Sequence, residues 1–154
     1  MKEGIDMRKA TNITGVILIV VYVVFLAVGW KSFPDELPTH FNASGIADTY
    51  GPKSSLLLEP AIMLGLFVLL AVVECFPKLW NISPDVFEGN EESVIRTCHN
   101  MFGVLKIAII LVCAFSGLMC IYSSFPVWPM YSMVAVILVT VFISILAIYR
   151  FKFE

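Results

Sequence analysis

His40, Asn42 and Asp48 lie in one short stretch of the chain, and Glu59 follows close behind. An imidazole beside one or two carboxylates can bind a divalent cation or shuttle a proton. One histidine with scattered acids is a thin ligand set, so the residues read first as a hydrogen-bonded network, and no metal site is expected. Glu74 and Lys106 form a second pair of interest, because both interrupt otherwise apolar runs. They could pair inside a membrane, or each could be solvated at its surface. No GxSxG, HExxH or paired catalytic carboxylates occur, and the two histidines, His40 and His99, belong to different segments. Cys75, Cys98, Cys113 and Cys120 contain no CxxC spacing. The expectation is a protein without catalytic residues or a cofactor.

The elements that hold these residues follow from composition. The 154 residues are 59% hydrophobic and 14% charged, where a soluble domain carries about 25% charged residues. Mean hydropathy is +0.90. Residues 10–30, 60–73 and 107–149 contain no Asp, Glu, Lys or Arg. A soluble domain of this size could not bury so much apolar chain. The net charge of −2 offers no basic field for nucleic acid. The predicted class is an all-α integral membrane protein with four transmembrane helices.

The spans read as Ile13–Trp30, about Ser55–Phe76, about Met101–Tyr122 and about Met130–Tyr149. The first covers ~27 Å at 1.5 Å per residue, close to the ~30 Å hydrocarbon core. It is too long for a signal-peptide core and lacks a small-x-small cleavage pattern, so it is expected to be retained. Pro126 and Pro129, in the segment Ser123–Pro129, break the last apolar run into two helices. Trp30, Trp80, Trp128, Tyr131 and Tyr149 fall at predicted span ends, where aromatic belts form.

Basic residues set the orientation. Lys2, Arg8, Lys9, Lys78, Arg96, Lys106, Arg150 and Lys152 fall on one side, Lys31 and Lys53 on the other. The positive-inside rule then puts both termini in the cytoplasm. Within a single four-helix domain over residues 1–154, residues 31–54 form an extracytoplasmic loop and 77–100 a cytoplasmic one. Glu59 and Glu74 are ~22 Å apart along a helix, one near each interface, and Lys106 can snorkel to the cytoplasmic headgroups. The small residues Ala61 and Gly65, and Cys113, Gly117 and Cys120, read as internal packing positions of the bundle. A homo-oligomer would be the other use for them.

The outer loop holds the most specific pattern. Thr39–Asn42 suits a short strand, Ala43-Ser44-Gly45 a turn and Asp48–Gly51 a returning strand. Ser54 or Ser55 could cap the second helix. Two strands alone are marginal, so this β-hairpin should rest on the helix ends through Phe33, Phe41 and Tyr50. Leu37-Pro38-Thr39-His40-Phe41-Asn42, with Gly45, Asp48, Gly51 and Lys53, resembles the LPxHFNxxGxxDxxGxK signature of a bacterial domain of unknown function. That domain forms the N-terminal region of SdpI-type immunity proteins, and the likeness extends over roughly residues 13–76. The chain looks like a short stand-alone relative without the C-terminal SdpI half.

The resemblance implies a non-enzymatic bacterial inner-membrane protein. It would act in toxin immunity or envelope signal transduction, meeting a peptide toxin or envelope ligand outside and a soluble protein inside. The alternative is a small transporter or accessory subunit that binds a small ligand or ion near Glu59. Against transport, no charge lies at the predicted midplane.

Overall fold

The computed structural model describes residues 7–122 and 125–150. Lys2, Lys152, Ser123 and Ser124 lie outside the described residues. Helix α1 spans Met7–Gly29 and is followed by strands β1, Glu36–Phe41, and β2, Ala47–Pro52. A 3-10 turn, Lys53–Leu57, leads into α2, Leu58–Glu74. The connector holds a second 3-10 turn, Pro77–Trp80, and the short helix α3, Pro84–Phe87. Helix α4, Glu91–Ile121, and helix α5, Trp128–Arg150, complete the chain. The described residues thus form a membrane protein of four apolar helices long enough to cross a bilayer, with a small antiparallel hairpin between the first two.

Helices α1, α2 and α4 each bury a stripe with the 3.6-residue period. In α1 it is Gly15, Ile19, Tyr22 and Leu26; in α2 it is Met63, Phe67 and Glu74. Ala61 and Gly65 lie about 200° around α2 from Met63 and Phe67, so they are exposed, and nothing stands within 4 Å of a Cβ placed on Gly65. The expectation that these two small residues pack inside the bundle is therefore corrected. Gly117 of α4 does face inward. Helix α4 is central and packs against α1, α2 and α5, whereas α5 rests chiefly on α4 and buries only Ser144.

Helix α4 begins ten residues before the expected span, at Glu91 rather than Met101. At ~46 Å it exceeds the hydrocarbon thickness by roughly three turns. Those turns hold together because Val94, Cys98 and Phe102 repeat at four-residue spacing and pack with Trp80 and Ile82 as a second small core. Glu91 and Glu92 sit in the first turn, where the exposed N–H groups favour negative charge.

The hairpin is built on the main core rather than beside it. Leu37 of β1, Phe33 before it and Leu56 after β2 are buried in the same cluster as Ile19, Tyr22, Leu26 and Met63. Tyr50 is 58% exposed and does not anchor the hairpin as expected, while Phe41 is half-buried. A bulge explains the failure of simple alternation: Pro38 pairs with Tyr50 and His40 with Thr49, leaving Thr39 extra. Neither Ser54 nor Ser55 caps α2 by its side chain. The 3-10 turn delays the helix to Leu58, whose N–H bonds the Ser55 carbonyl.

Deleting a fully buried leucine from such a junction removes both contacts and the means to refill the space. Leu37→Ala is expected to destabilise the protein by about 2–5 kcal/mol and to speed amide exchange across residues 36–52. Gly65→Ala, made into open space on a helix face, should be neutral or stabilising. Thermal unfolding in detergent with hydrogen-exchange mass spectrometry reads both; equal behaviour of the two variants would contradict this core.

Candidate functional site

The hairpin tip is organised by Asn42. Its Oδ1 accepts the backbone N–H groups of Ser44 and Ile46 at 2.9 and 3.1 Å, while its carbonyl accepts from Gly45 at 2.8 Å. Asn42 is thereby committed to the turn. Gly45 has φ +77°, and a side chain there would also strike Val127. Tyr131 of α5 donates to the Ala43 carbonyl at 3.0 Å. The tip therefore leans on the start of α5 while the base is rooted among α1 and α2.

The base is closed by Lys53. Its amide donates to the Asp35 carbonyl at 2.9 Å, its Nζ lies 2.7 Å from Asp35 Oδ1, and it stands 5.9 Å from the centre of the Trp30 ring. The Lys53 hydrogen bond and charge hold the Asp35 carboxyl below its ordinary value of 3.8. The bridge thus supports the hairpin above that pH and is lost as pH falls through the lower folded value. Asp35 is exposed, so the gain is small. Gly51, opposite Leu37, leaves room for Thr39: a Cβ on it would come within 3.0 Å of Thr39 Cγ2.

Of the expected loop constellation, His40 and Asp48 meet. His40 Nδ1 is 2.5 Å from Asp48 Oδ1, and both side chains are exposed. A carboxylate only accepts, so the shared proton belongs on Nδ1. Among the described residues no group of three metal-ligating side chains converges.

Glu59 takes no part in the loop constellation. It points into the bundle from the first turn of α2, accepting a hydrogen bond from the Tyr22 hydroxyl of α1, with the Ser116 side chain of α4 as a further partner. A Cβ on Gly117 would overlap both Tyr22 and Glu59. The absent side chain is what admits this polar pair to the bundle. Sequence reasoning placed Glu59 beside the hairpin and missed Tyr22; the available signal was the place of Tyr22 in the Gly15, Ile19, Leu26 stripe of α1.

At the opposite end Lys106 Nζ lies 2.7 Å from Glu74 Oε2 and also donates to Asn12 Oδ1. Lys106 is 0% and Glu74 1% exposed, so Lys106 turns inward and does not snorkel. Arg8 Nε stands 3.9 Å from the same carboxylate oxygen, and its Nη2 donates to Cys75 Sγ at 2.9 Å. Asn12 and Arg8, one and two turns before Gly15 on the buried stripe of α1, complete the cluster. Neither was foreseen as a partner, although the 3.6-residue period places both there.

Removing one member of this pair strands a charge in an apolar interior. Lys106→Met is expected to cost about 3–5 kcal/mol, and adding Glu74→Leu should recover most of the loss. Unfolding in mixed micelles would measure both; a double variant no better than Lys106→Met would show that the pair contributes little beyond its packing.

Residues 17–64 match the family model described as a domain of unknown function, DUF1648. The matched segment runs from within α1 through the hairpin into α2, so it includes Tyr22, His40, Asp48 and Glu59 but neither Glu74 nor Lys106. No curated protein and no solved structure matches the chain.

Proposed function

We propose that this chain is a non-enzymatic bacterial inner-membrane protein of SdpI type, with its hairpin outside and both termini in the cytoplasm. Its hairpin would receive a peptide toxin or another envelope ligand, giving immunity or passing a signal inward. The observation that carries this reading is how the hairpin is held. Its base is part of the helical core and its tip rests on Val127 and Tyr131, while His40, Asp48, Thr49 and Tyr50 remain exposed. A ligand gripping those residues would bear on α1, α2 and α5 together.

Helix α4 supports the signalling half of the reading. One unbroken helix runs from Gly117, beneath the hairpin, to Arg96 and Glu91 beyond the far end of the bundle. Its first turns would meet a soluble partner. Deleting the gene and challenging cells with peptide toxins of sibling strains tests immunity. Greater sensitivity is expected, rescued by the wild-type chain and not by His40→Ala/Tyr50→Ala at equal membrane abundance. Unchanged sensitivity ends the immunity reading.

A second reading, a small transporter or accessory subunit, rests on Glu59, whose carboxylate lies inside the bundle against Tyr22. Intramembrane carboxylates facing a bundle interior often serve ion or ligand pathways. Flux in proteoliposomes that disappears with Glu59→Gln is the expected result; no flux above empty vesicles removes this reading.

A further inference from the structure

A cavity of about 490 Å³ opens at the connector end, between the last turns of α2 and α5, the start of the apolar part of α4, and the Pro77–Trp80 turn. Val73, Phe102, Ile145 and Ile148 make much of its wall, together with Trp80 and Tyr149, residue types enriched at membrane interfaces. Its volume falls within the ~300–1,000 Å³ of small-molecule sites. A second cavity of about 560 Å³ adjoins it, sharing Asn81 and Ile82, and is lined also by Lys78 and Glu88. The first is suited to hydrocarbon and the second to a polar head carrying both signs of charge.

Lys78 and Glu88 are exposed and form no ion pair with one another or with any other described residue. Asn81, at the seam of the two cavities, holds a left-handed backbone at φ 52°, which asparagine tolerates better than most residues. Its exposed amide offers a donor and an acceptor at the junction.

From this arrangement we propose that the two cavities form one binding site for a phospholipid whose head carries a phosphate beside a primary ammonium. The phosphate meets Lys78, the ammonium meets Glu88, and part of an acyl chain enters between α4 and α5. Among the described residues that line the second cavity, Lys78 is the cation and Glu88 the carboxylate, so a purely anionic head satisfies only half of the site. The site lies outside the segment that matches the domain of unknown function. It does not depend on what the hairpin binds.

Trp80 lines the acyl cavity, and the other two tryptophans, Trp30 and Trp128, lie at the hairpin end. A Trp30→Phe/Trp128→Phe chain in nanodiscs therefore reports from the site alone. Phosphatidylethanolamine with brominated acyl chains, titrated into a phosphatidylcholine background, should quench Trp80 at lower mole fraction than brominated phosphatidylglycerol or phosphatidylcholine. Glu88→Gln and Lys78→Gln are both surface changes that leave the fold intact. Glu88→Gln should weaken that preference roughly tenfold, the loss of one charge-assisted contact, whereas Lys78→Gln should leave the preference in place, because all three lipids carry the phosphate it meets. Equal quenching by all three lipids would mean ordinary annular lipid and overturn the proposal. A preference for phosphatidylglycerol would overturn the role of Glu88. Displacement by soluble O-phosphoethanolamine, which has no tail, would overturn the assignment to lipid.

Discussion

The contact between Lys106 and Glu74 constrains the rest of the bundle. Both charges are withdrawn from solvent, and with Asn12 they tie α4, α2 and α1 together at a single point. In hydrocarbon a charge can be satisfied only by another protein group, and rotating any one helix by a single residue would turn its member toward lipid. Apolar helices in lipid otherwise have little to choose between one register and another. The pair removes that freedom. Its stabilising worth is smaller than its specificity, since desolvation offsets much of the attraction and Glu74 Oε1 has no hydrogen-bond partner among the described residues.

Once that register is set, the opposite end follows. The stripe of α1 that holds Asn12 continues through Gly15 and Ile19 to Tyr22, which meets Glu59. The same three helices are therefore joined by a polar contact near each end, with Phe67, Met63 and Ile110 packed between. Helix α5 contributes no charge to either contact and buries a single serine. It adds a wall to α4 and a seat for the hairpin tip, and its remaining surface is that of a lipid-facing helix.

The four spans were legible because charge-free runs longer than a hydrocarbon core admit few other readings. The hairpin was legible because Asn42 to Gly45 carries its own turn chemistry. What escaped depended on contacts between distant segments. The bulge at Thr39 interrupts the alternation just beyond the Pro38–Tyr50 pair, and Tyr50 stays exposed while Leu37 packs on the helix ends. The early start of α4 is written in Val94, Cys98 and Phe102, but a stripe of three is persuasive only when Trp80 and Ile82 are seen to cover it. Ala61 and Gly65 mislead for the opposite reason: small residues mark close approach only on the face that has a neighbour.

The match to the domain of unknown function ends at residue 64, and this has a structural consequence. Within residues 17–64 Tyr22 and Glu59 can bond to one another, yet the pair is closed off by α4, through Ser116 and the bare backbone of Gly117. Two helices and a hairpin alone would leave a carboxylate facing lipid on that side. Here α4 supplies that cover, and it can do so because it carries no side chain where it crosses, at Gly117. In this protein the covering helix is also the one that carries Lys106. The polar contact under the hairpin and the ion pair at the far end are thus held at a fixed spacing by one continuous α4.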